Sequence, residues 1–479
     1  MNIKLVLKLI GRILLVEAVA LVLPLLVALL YREDPTPFLL TIAIVALCGF
    51  GLSALPCRSR QFFTREGFVA VGLIWIITGL VGSLPFLFCG YFATPMDCIF
   101  ESCSGFTTTG ASILTDIESL PKGILFWRSF THWLGGMGVL VLATAIVPTM
   151  GIRSHYLTQA ETPGPVFSKL VPKQSQTSKI LYSMYFALTA LEIVCLKLAG
   201  MPLYDCFIHA FSSAGTGGFS NRNASVGAYG SVAIEMIITV FILLFSLNFA
   251  VYFLLLTRRW KEALESDELR FFFLVVSGAT ILITLANLGV YTSVWESLRY
   301  AVFQVASIIS TTGFATADYV LWPQFSQMIL ILLMFCGACA GSTGGGMKCS
   351  RILTLLRSIR RDLHHITHPR SVEVVKLDGK VVGEDTLHSL LVFVGAYVFL
   401  VFGAALIISL DGNSFAVSFS ASLTCVSNVG PGLELIGPTG NFSSFSALSK
   451  GVMSLCMIAG RLEIFPILIL FSPTAWRRT

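Results

Sequence analysis

Charged side chains are scarce in this sequence: Asp, Glu, Lys and Arg make up 12% of its 479 residues, whereas hydrophobic residues make up 55%. The mean hydropathy of +0.82 is far too high for a soluble domain of this size. So few charges exclude a soluble globular protein and indicate one that a lipid bilayer solvates. The net charge of +6 is small, and cationic loops explain it without a nucleic-acid partner.

Long apolar runs recur from one end of the chain to the other. A hydrocarbon core of about 30 Å is crossed by about 20 helical residues that rise 1.5 Å each. The sequence therefore predicts about ten transmembrane helices, at residues 3–30, 36–57, 67–92, 124–148, 178–200, 231–257, 270–291, 325–350, 386–410 and 445–471. The first run is expected to stay attached, because it is long for a signal peptide and Glu17 interrupts it.

Lys and Arg residues are concentrated in alternate loops. Cationic loops are retained on the cytoplasmic side of a membrane. Most of the 32 Lys and Arg residues lie at 1–12, 58–65, 153–179, 258–270, 348–380 and 477–478. Both termini are therefore predicted to be cytoplasmic. The most cationic segment, 348–380, is predicted to dock a soluble partner, with Arg357, Arg360 and Arg361 in the contact.

Four short segments that end in glycine repeat between pairs of apolar runs. Their sequences align on Gly110, Gly217, Gly313 and Gly430, which gives repeats of about one hundred residues. A threonine precedes the glycine in three copies and Val429 in the fourth, and a hydroxyl residue stands six positions upstream in Ser104, Ser307 and Thr424. Four unrelated helix-ending glycines in ordinary loops would not share this register.

A short, partly apolar stretch precedes each glycine, at 96–107, 203–213, 296–309 and 414–425. These stretches cannot cross the bilayer and are predicted to be re-entrant half helices. A helix that ends at membrane depth leaves carbonyls unpaired, which is tolerated only inside protein or along a water-filled path. Glycine adopts positive φ cheaply, so successive carbonyl oxygens can point the same way and replace the water shell of a cation.

The repeats predict an all-α polytopic membrane protein with one central pore. Four pseudo-symmetric units of helix, pore helix, filter and helix surround that pore. An N-terminal two-helix extension occupies 1–65, and the four repeats occupy 66–152, 153–262, 263–382 and 383–479. The third repeat also contains an intramembrane loop and the basic cytoplasmic segment.

Several motifs carry a resemblance to a known family. They are Thr108-Thr-Gly110, His132-Trp-Leu-Gly-Gly-Met-Gly138, Ala214-Gly-Thr-Gly-Gly-Phe219, Ser310-Thr-Thr-Gly-Phe314, Gly341-Ser-Thr-Gly-Gly-Gly-Met-Lys348, Ser427-Asn-Val-Gly-Pro-Gly432 and Gly460-Arg-Leu-Glu463. Over nearly its whole length the chain resembles the Trk/Ktr/HKT superfamily of potassium transporters. It is most similar to the bacterial Trk-type potassium uptake membrane subunit, the TrkH type, which shares its extra N-terminal helix pair.

The resemblance implies potassium uptake across a bacterial cytoplasmic membrane. It also implies a homodimer, a cytoplasmic nucleotide-binding regulatory subunit of the TrkA kind, K⁺ as the transported ion and no bound cofactor. The filter residues that it assigns are Thr108, Thr109, Gly110, Gly215, Thr216, Gly217, Thr311, Thr312, Gly313, Asn428, Val429 and Gly430. Serine at the first filter glycine accompanies sodium permeation in the family, so Gly110 implies potassium selectivity. Asn428 and Val429 depart from the Thr-Thr of copies one and three, so the ring is not strictly fourfold.

A run of glycine and hydroxyl residues interrupts the apolar stretch 325–350. Such a run is not expected to hold a helix, so a loop at membrane depth results. The resemblance implies that Gly341, Ser342, Thr343, Gly344, Gly345 and Gly346 form a gate below the filter, with Arg461 as partner. An arginine at the bilayer centre costs roughly 2.5–3.5 kcal/mol, so Arg461 is expected to face the pore or pair with a carboxylate such as Glu463. The alternative for Arg461 is a snorkelling side chain near a helix end.

Other classes of function fit the sequence less well. The loop is not a phosphate-binding loop, because Met347 separates Gly346 from Lys348 and no hydroxyl residue follows the lysine. The intramembrane charges do not make a catalytic set, so no enzyme is expected. A non-transporting membrane receptor would not need four filter copies. A transporter of the same fold that admits both sodium and potassium stays open, as does whether flux is passive or coupled to H⁺ or Na⁺.

Overall fold

The structure, a computed structural model, describes residues 3–56, 64–136, 138 and 174–473. The predicted boundary at 152–153 lies outside these ranges, as do Arg477, Arg478 and most of the cationic segments 58–65 and 153–179.

The α-helices are Ile3–Ala20, Val22–Leu30, Thr36–Ser53, Thr64–Gly82, Leu84–Cys89, Pro95–Phe106, Lys122–Gly136, Gln174–Leu198, Leu203–Gly215, Val232–Ser246, Phe249–Leu256, Trp260–Leu264, Asp267–Ala286, Val294–Ile309, Gln324–Cys336, Cys349–Thr367, Glu384–Ile408, Phe415–Ser427, Ala447–Arg461 and Phe465–Leu470. Strands Lys376–Leu377 and Lys380–Val381 form a small antiparallel hairpin.

Six of the predicted spans are present as segments long and apolar enough to cross a membrane. They are Ile3–Leu30, Thr36–Ser53, Glu66–Cys89, Lys179–Leu198, Asp267–Ala286 and Glu384–Asp411. The fold is therefore that of an all-helical polytopic membrane protein, as predicted.

The other four predicted spans are less continuous than expected. The span 231–257 bends by 92° between Ser246 and Phe249, where the Asn248 side chain accepts from the Ala250 N–H and starts a new helix. The span 325–350 stops being helical at Cys336, and 445–471 is interrupted after Arg461. The span 124–148 is helical to Gly136, and apart from Gly138 its remainder lies outside the described residues.

The N-terminal helices pack closely because glycines meet where they cross. A Cβ on Gly11 would lie 2.6 Å from the Ser53 nitrogen and 2.9 Å from the Gly49 carbonyl oxygen. Small residues at such a crossing bring helix backbones together, which provides packing where lipid removes the hydrophobic driving force. The extension 3–53 thus forms a tight pair against the first repeat.

The predicted half helices are present and are called the first to fourth pore helices: Pro95–Phe106, Leu203–Gly215, Val294–Ile309 and Phe415–Ser427. Three of them start at a hydroxyl cap. Thr94, Ser293 and Ser414 accept from backbone N–H groups three residues later, at 3.2, 3.1 and 3.2 Å. These three pore helices are thereby fixed at their starts, and the last residues of all four are buried in the protein.

The four copies follow one another around a common centre. Each pore helix packs against the helix that follows the filter segment of the preceding copy. The contact pairs are Pro95–Phe106 with Ala447–Arg461, Leu203–Gly215 with Lys122–Gly136, Val294–Ile309 with Val232–Ser246, and Phe415–Ser427 with Gln324–Cys336. Because the first copy packs on the fourth, the arrangement closes into a ring.

Candidate functional site

The backbone turns in the same way after each pore helix. Thr108, Thr216, Thr311 and Asn428 have φ of 55°, 53°, 59° and 55°. Two residues later, Gly110, Gly218, Gly313 and Gly430 have φ of 80°, 81°, 80° and 103°. The left-handed region is unfavourable for a β-branched residue, so the surrounding structure must hold the three threonines there.

Each of these glycines lies against a carbonyl of the next copy. A Cβ on Gly110 would lie 1.9 Å from the Gly217 oxygen, and one on Gly218 would lie 2.0 Å from the Thr312 oxygen. A Cβ on Gly313 would lie 2.2 Å from the Val429 oxygen, and one on Gly430 would lie 2.7 Å from the Thr109 oxygen. The four segments therefore form a closed ring of backbone, and none of the four positions has room for a side chain.

In the second copy, the ring glycine lies one residue later than the sequence alignment placed it. Gly218 faces the next copy, whereas Gly217 matches Thr109: the Gly217 N–H bonds the Ser212 carbonyl at 2.8 Å, as the Thr109 N–H bonds that of Ser104 at 2.9 Å. Gly215 lies in the last turn of its pore helix, where a Cβ would lie 2.2 Å from the His132 oxygen.

The matching triplets are therefore 108–110, 216–218, 311–313 and 428–430, in place of the predicted 215–217. In this register, all four copies carry a hydroxyl residue six positions before the ring glycine, because Ser212 joins Ser104, Ser307 and Thr424.

The triplet carbonyls are left unpaired. Within the described part of the chain, no donor bonds a carbonyl oxygen of any of the four triplets. Unpaired carbonyls at this depth need water or a cation in place of a protein donor. All four ring glycines line a cavity of ≈ 120 Å³, on the side where the loops after the filter segments lie.

A buried ion pair supports the backbone beyond the first two ring glycines. The Arg128 Nε lies 2.5 Å from the Glu101 Oε1, and the two side chains are 2% and 0% exposed. Glu101 also accepts from the Ile113 N–H at 3.0 Å, and Arg128 donates to the Ser220 carbonyl at 2.9 Å. The pair thus joins the first copy to the second. Neither residue was predicted from the sequence to have a role, although a glutamate within a short half helix was a signal for one.

Two further side chains connect neighbouring copies behind the ring. The His132 ring stacks on Phe219 with centroids 4.1 Å apart, and its Nδ1 lies 2.7 Å from the Gly105 oxygen. The Asn428 Nδ2 donates to the Thr109 Oγ1 and to the Met457 carbonyl, each at 2.9 Å. Asn428, the residue that departs most from the repeat, thereby connects the fourth copy to the first.

The loop 337–348 lies directly under the third and fourth filter segments. The Gly345 N–H donates to the Thr311 Oγ1 at 2.6 Å, and the Gly346 N–H donates to the Ser427 carbonyl at 2.9 Å. Close packing also fixes the loop, since a Cβ on Gly344 would lie 2.4 Å from the Cβ of Ala338. The predicted gate residues are thus in contact with two of the filter segments.

Arg461 joins this loop to the first copy. Its Nη1 donates to the Thr343 carbonyl at 2.6 Å, and its Nη2 donates to those of Gly135 and Gly136 at 2.6 and 2.7 Å. The guanidinium therefore faces backbone oxygens. Glu463, suggested as its partner from sequence, instead forms an ion pair with Arg351.

Comparison with known proteins identifies the family. The TrkH family model, described as a cation transport protein, matches residues 37–477. The chain belongs to the TrkH family. It is 37% identical to the Trk system potassium uptake protein TrkH of Halomonas elongata and 36% identical to that of Escherichia coli K12, and both alignments cover all of each chain. The crystal structure of the potassium transporter TrkH from Vibrio parahaemolyticus superposes with a TM-score of 0.89 at 35% identity over all of both chains.

Membership of the TrkH family confirms the resemblance seen in the motifs and the helical membrane fold. The family is one of transport proteins, in agreement with the prediction that the chain is not an enzyme.

Proposed function

We propose that this TrkH-family chain takes up potassium ions through the ring formed by its four filter triplets. The observation that carries the proposal is the closed arrangement in which each ring glycine faces a carbonyl of the next copy, while no donor among the described residues bonds a triplet carbonyl. Carbonyl oxygens arranged in rings can replace the hydration shell of a cation. The pore helices support this role, because the negative ends of their dipoles lie beside the ring.

Potassium is the proposed ion because no copy has a side chain at the ring glycine. A bulkier residue would displace the adjacent carbonyl and change the spacing of the oxygen ligands. The relatives from Halomonas elongata and Escherichia coli are named potassium uptake proteins, which supports the same substrate. A transporter that admits sodium and potassium equally is the alternative.

The loop 341–346 and Arg461 are proposed to be the gate. The loop contacts the third and fourth filter segments, and none of its residues lines the cavity. Arg461 places a positive charge beside it, which raises the barrier to a cation while the loop stays in place. A guanidinium inside a membrane needs a carboxylate or a backbone carbonyl as its partner, and the Thr343 carbonyl is such a partner for Arg461.

The wider biological setting follows from the family resemblance and from charge. We propose a homodimer in the bacterial cytoplasmic membrane, with both termini cytoplasmic and a TrkA-type nucleotide-binding subunit docked on the basic segment 348–380. The exposed Arg360 lies on that segment, beside a cleft lined by Arg357, Arg361 and Lys376. Such a cleft suits a partner with an acidic surface.

Uptake by the purified chain in liposomes tests the proposal. Radioactive Rb⁺, as a potassium analogue, should enter, and excess K⁺ should compete with it while equal Na⁺ should not. Competition by Na⁺ as strong as that by K⁺ would favour the less selective alternative. No uptake above empty liposomes, in protein that is folded, would favour a receptor. Reversal potentials under opposed K⁺, Na⁺ and H⁺ gradients would separate passive from coupled flux.

A further inference from the structure

Two consecutive acidic residues begin the helix Asp267–Ala286 and make different contacts. Asp267 contacts the hairpin on the predicted cytoplasmic side, whereas Glu268 contacts the intramembrane loop. Acidic residues in a first helical turn complement the helix dipole, which explains two carboxylates there in general terms. The helix dipole does not explain why the two carboxylates have different hydrogen-bond partners.

Glu268 holds both ends of the loop with one oxygen. Its Oε1 accepts from the Ala340 N–H at 2.7 Å and from the Ser350 N–H at 3.0 Å. The residue is 3% exposed. Ala340 precedes the Gly341–Gly346 run and Ser350 lies in the first turn of the helix Cys349–Thr367. A single carboxylate therefore fixes the distance between the two ends of the loop.

Asp267 holds the cytoplasmic hairpin to the same helix start. Its Oδ2 accepts from the Arg357 Nη1 at 2.7 Å and from the Asp378 N–H at 2.9 Å. Its own N–H donates to the Asp378 Oδ1 at 2.7 Å. Arg357 also donates to the Lys376 carbonyl at 2.7 Å, so hairpin, helix Cys349–Thr367 and Asp267 form one cluster.

We propose that Asp267 and Glu268 are a positioning pair that couples the hairpin 376–381 to the loop 337–348, so that a partner that displaces the hairpin also shifts the loop. The inference rests on the proposed function, because it gives the gate a route of regulation. The two carboxylates belong to adjacent residues, and movement of the helix start therefore changes both sets of contacts together. No change within the filter is needed for the loop to respond.

Amide hydrogen exchange tests the coupling without assuming that the loop is a gate. The full chain, reconstituted in lipid nanodiscs, is compared with Glu268→Ala, Glu268→Gln and Asp267→Ala. Loss of the acceptor in Glu268→Ala should speed exchange at 340–350 about tenfold or more. Glu268→Gln should largely restore protection, because its amide oxygen can take both hydrogen bonds. Asp267→Ala should speed exchange in the hairpin and also, at least about threefold, in the loop.

The matched control is Glu384→Ala, which removes a carboxylate that accepts from Arg361 at 2.6 Å and that, among the described residues, has no contact with the loop. It should leave exchange at 340–350 as in the wild type. If Asp267→Ala loosens the hairpin while the loop stays protected, or if Glu268→Ala leaves the loop protected, the coupling is overturned. Asp267 is partly exposed, so its variant provides a result even if Glu268→Ala does not fold.

Rb⁺ flux measured on the same samples separates this inference from the proposed gate. Faster exchange together with faster flux supports both. Faster exchange with unchanged flux supports the positioning pair and overturns the loop as gate.

Discussion

The Arg461 guanidinium donates to the Thr343 carbonyl at 2.6 Å, and this bond connects the helix Ala447–Arg461 of the fourth copy to the loop of the third. The same guanidinium also bonds two carbonyls of the first copy. Charge-assisted bonds of this kind are stronger than neutral ones, and the planar guanidinium fixes their directions. One side chain thus links three of the four copies just below the filter.

Serine at a ring glycine is expected to admit sodium. Both Gly110→Ser and Gly218→Ser place a side chain against the carbonyl of the next copy. Displaced carbonyls no longer match the size of K⁺, so the ratio of Rb⁺ to Na⁺ uptake should fall about tenfold, equivalent to about 1.4 kcal/mol. Parallel tracer uptake into proteoliposomes measures the ratio.

The control for this substitution is Gly230→Ser. Gly230 also has positive φ, at 54°, but a Cβ there meets nothing within 4 Å. Gly230→Ser should therefore be destabilised by backbone strain but keep the wild-type ratio of Rb⁺ to Na⁺ uptake. An unchanged uptake ratio in folded Gly218→Ser would instead favour Gly217 as the filter glycine of the second copy.

The second copy shows why the sequence indicated the repeated segment but not its register in the ring. Ala214-Gly-Thr-Gly-Gly-Phe219 offers two adjacent glycines after the threonine, and alignment on Thr216 chose Gly217. The ring contacts distinguish the two, because Gly217 packs against the His132 ring and Gly218 against Thr312. The hydroxyl six residues upstream would have favoured Gly218, since only then does Ser212 complete the pattern.

Helix positions were predictable because they depend on local apolar periodicity, whereas the breaks depend on tertiary contacts. The bend at Asn248 lies in an apolar run without proline or glycine. It is stabilised by the loop, whose Cys339 N–H bonds the freed Ser246 carbonyl at 3.1 Å. Likewise, the pairing of Arg351 with Glu463 joins residues far apart in sequence, and no local pattern indicates it.

Removal of Arg128 should destabilise the fold strongly. Arg128→Met leaves Glu101 buried without its cation, and breaking a buried pair in this way costs about 3–5 kcal/mol. A large drop in the melting temperature of the protein in detergent would report it. Arg259→Met is the comparison, because the exposed pair with Glu262 should contribute at most about 1 kcal/mol. Equal melting temperatures for the two variants would contradict a supporting role for Arg128.

Charge reversal on the basic segment 348–380 should weaken partner binding, but the three predicted arginines are not equivalent. Arg357 bonds Asp267 and Arg361 bonds Glu384, whereas Arg360 is exposed. Arg360→Glu should therefore reduce capture of a TrkA-type subunit about tenfold, mainly through electrostatic attraction, with a smaller effect at high salt. Arg32→Glu, an exposed change on the opposite predicted face, is the control. Wild-type capture of the subunit by Arg360→Glu would indicate that the subunit binds at another surface.

The last prediction is that the loop and Arg461 form one barrier. Because the loop is held under the filter by the Thr343 carbonyl bond, removal of either component should release it. Deletion of Ser342–Gly345 and the substitution Arg461→Ala should each raise Rb⁺ flux in proteoliposomes without partner, by roughly fivefold or more if about 1 kcal/mol of closure is lost. Two changes that remove the same barrier are not additive, so the double variant should transport little faster than the faster single variant.

Additive gains in Rb⁺ flux would mean two independent barriers. Wild-type flux in both single variants, with folding and selectivity retained, would place the gate elsewhere and leave only the filter assignment.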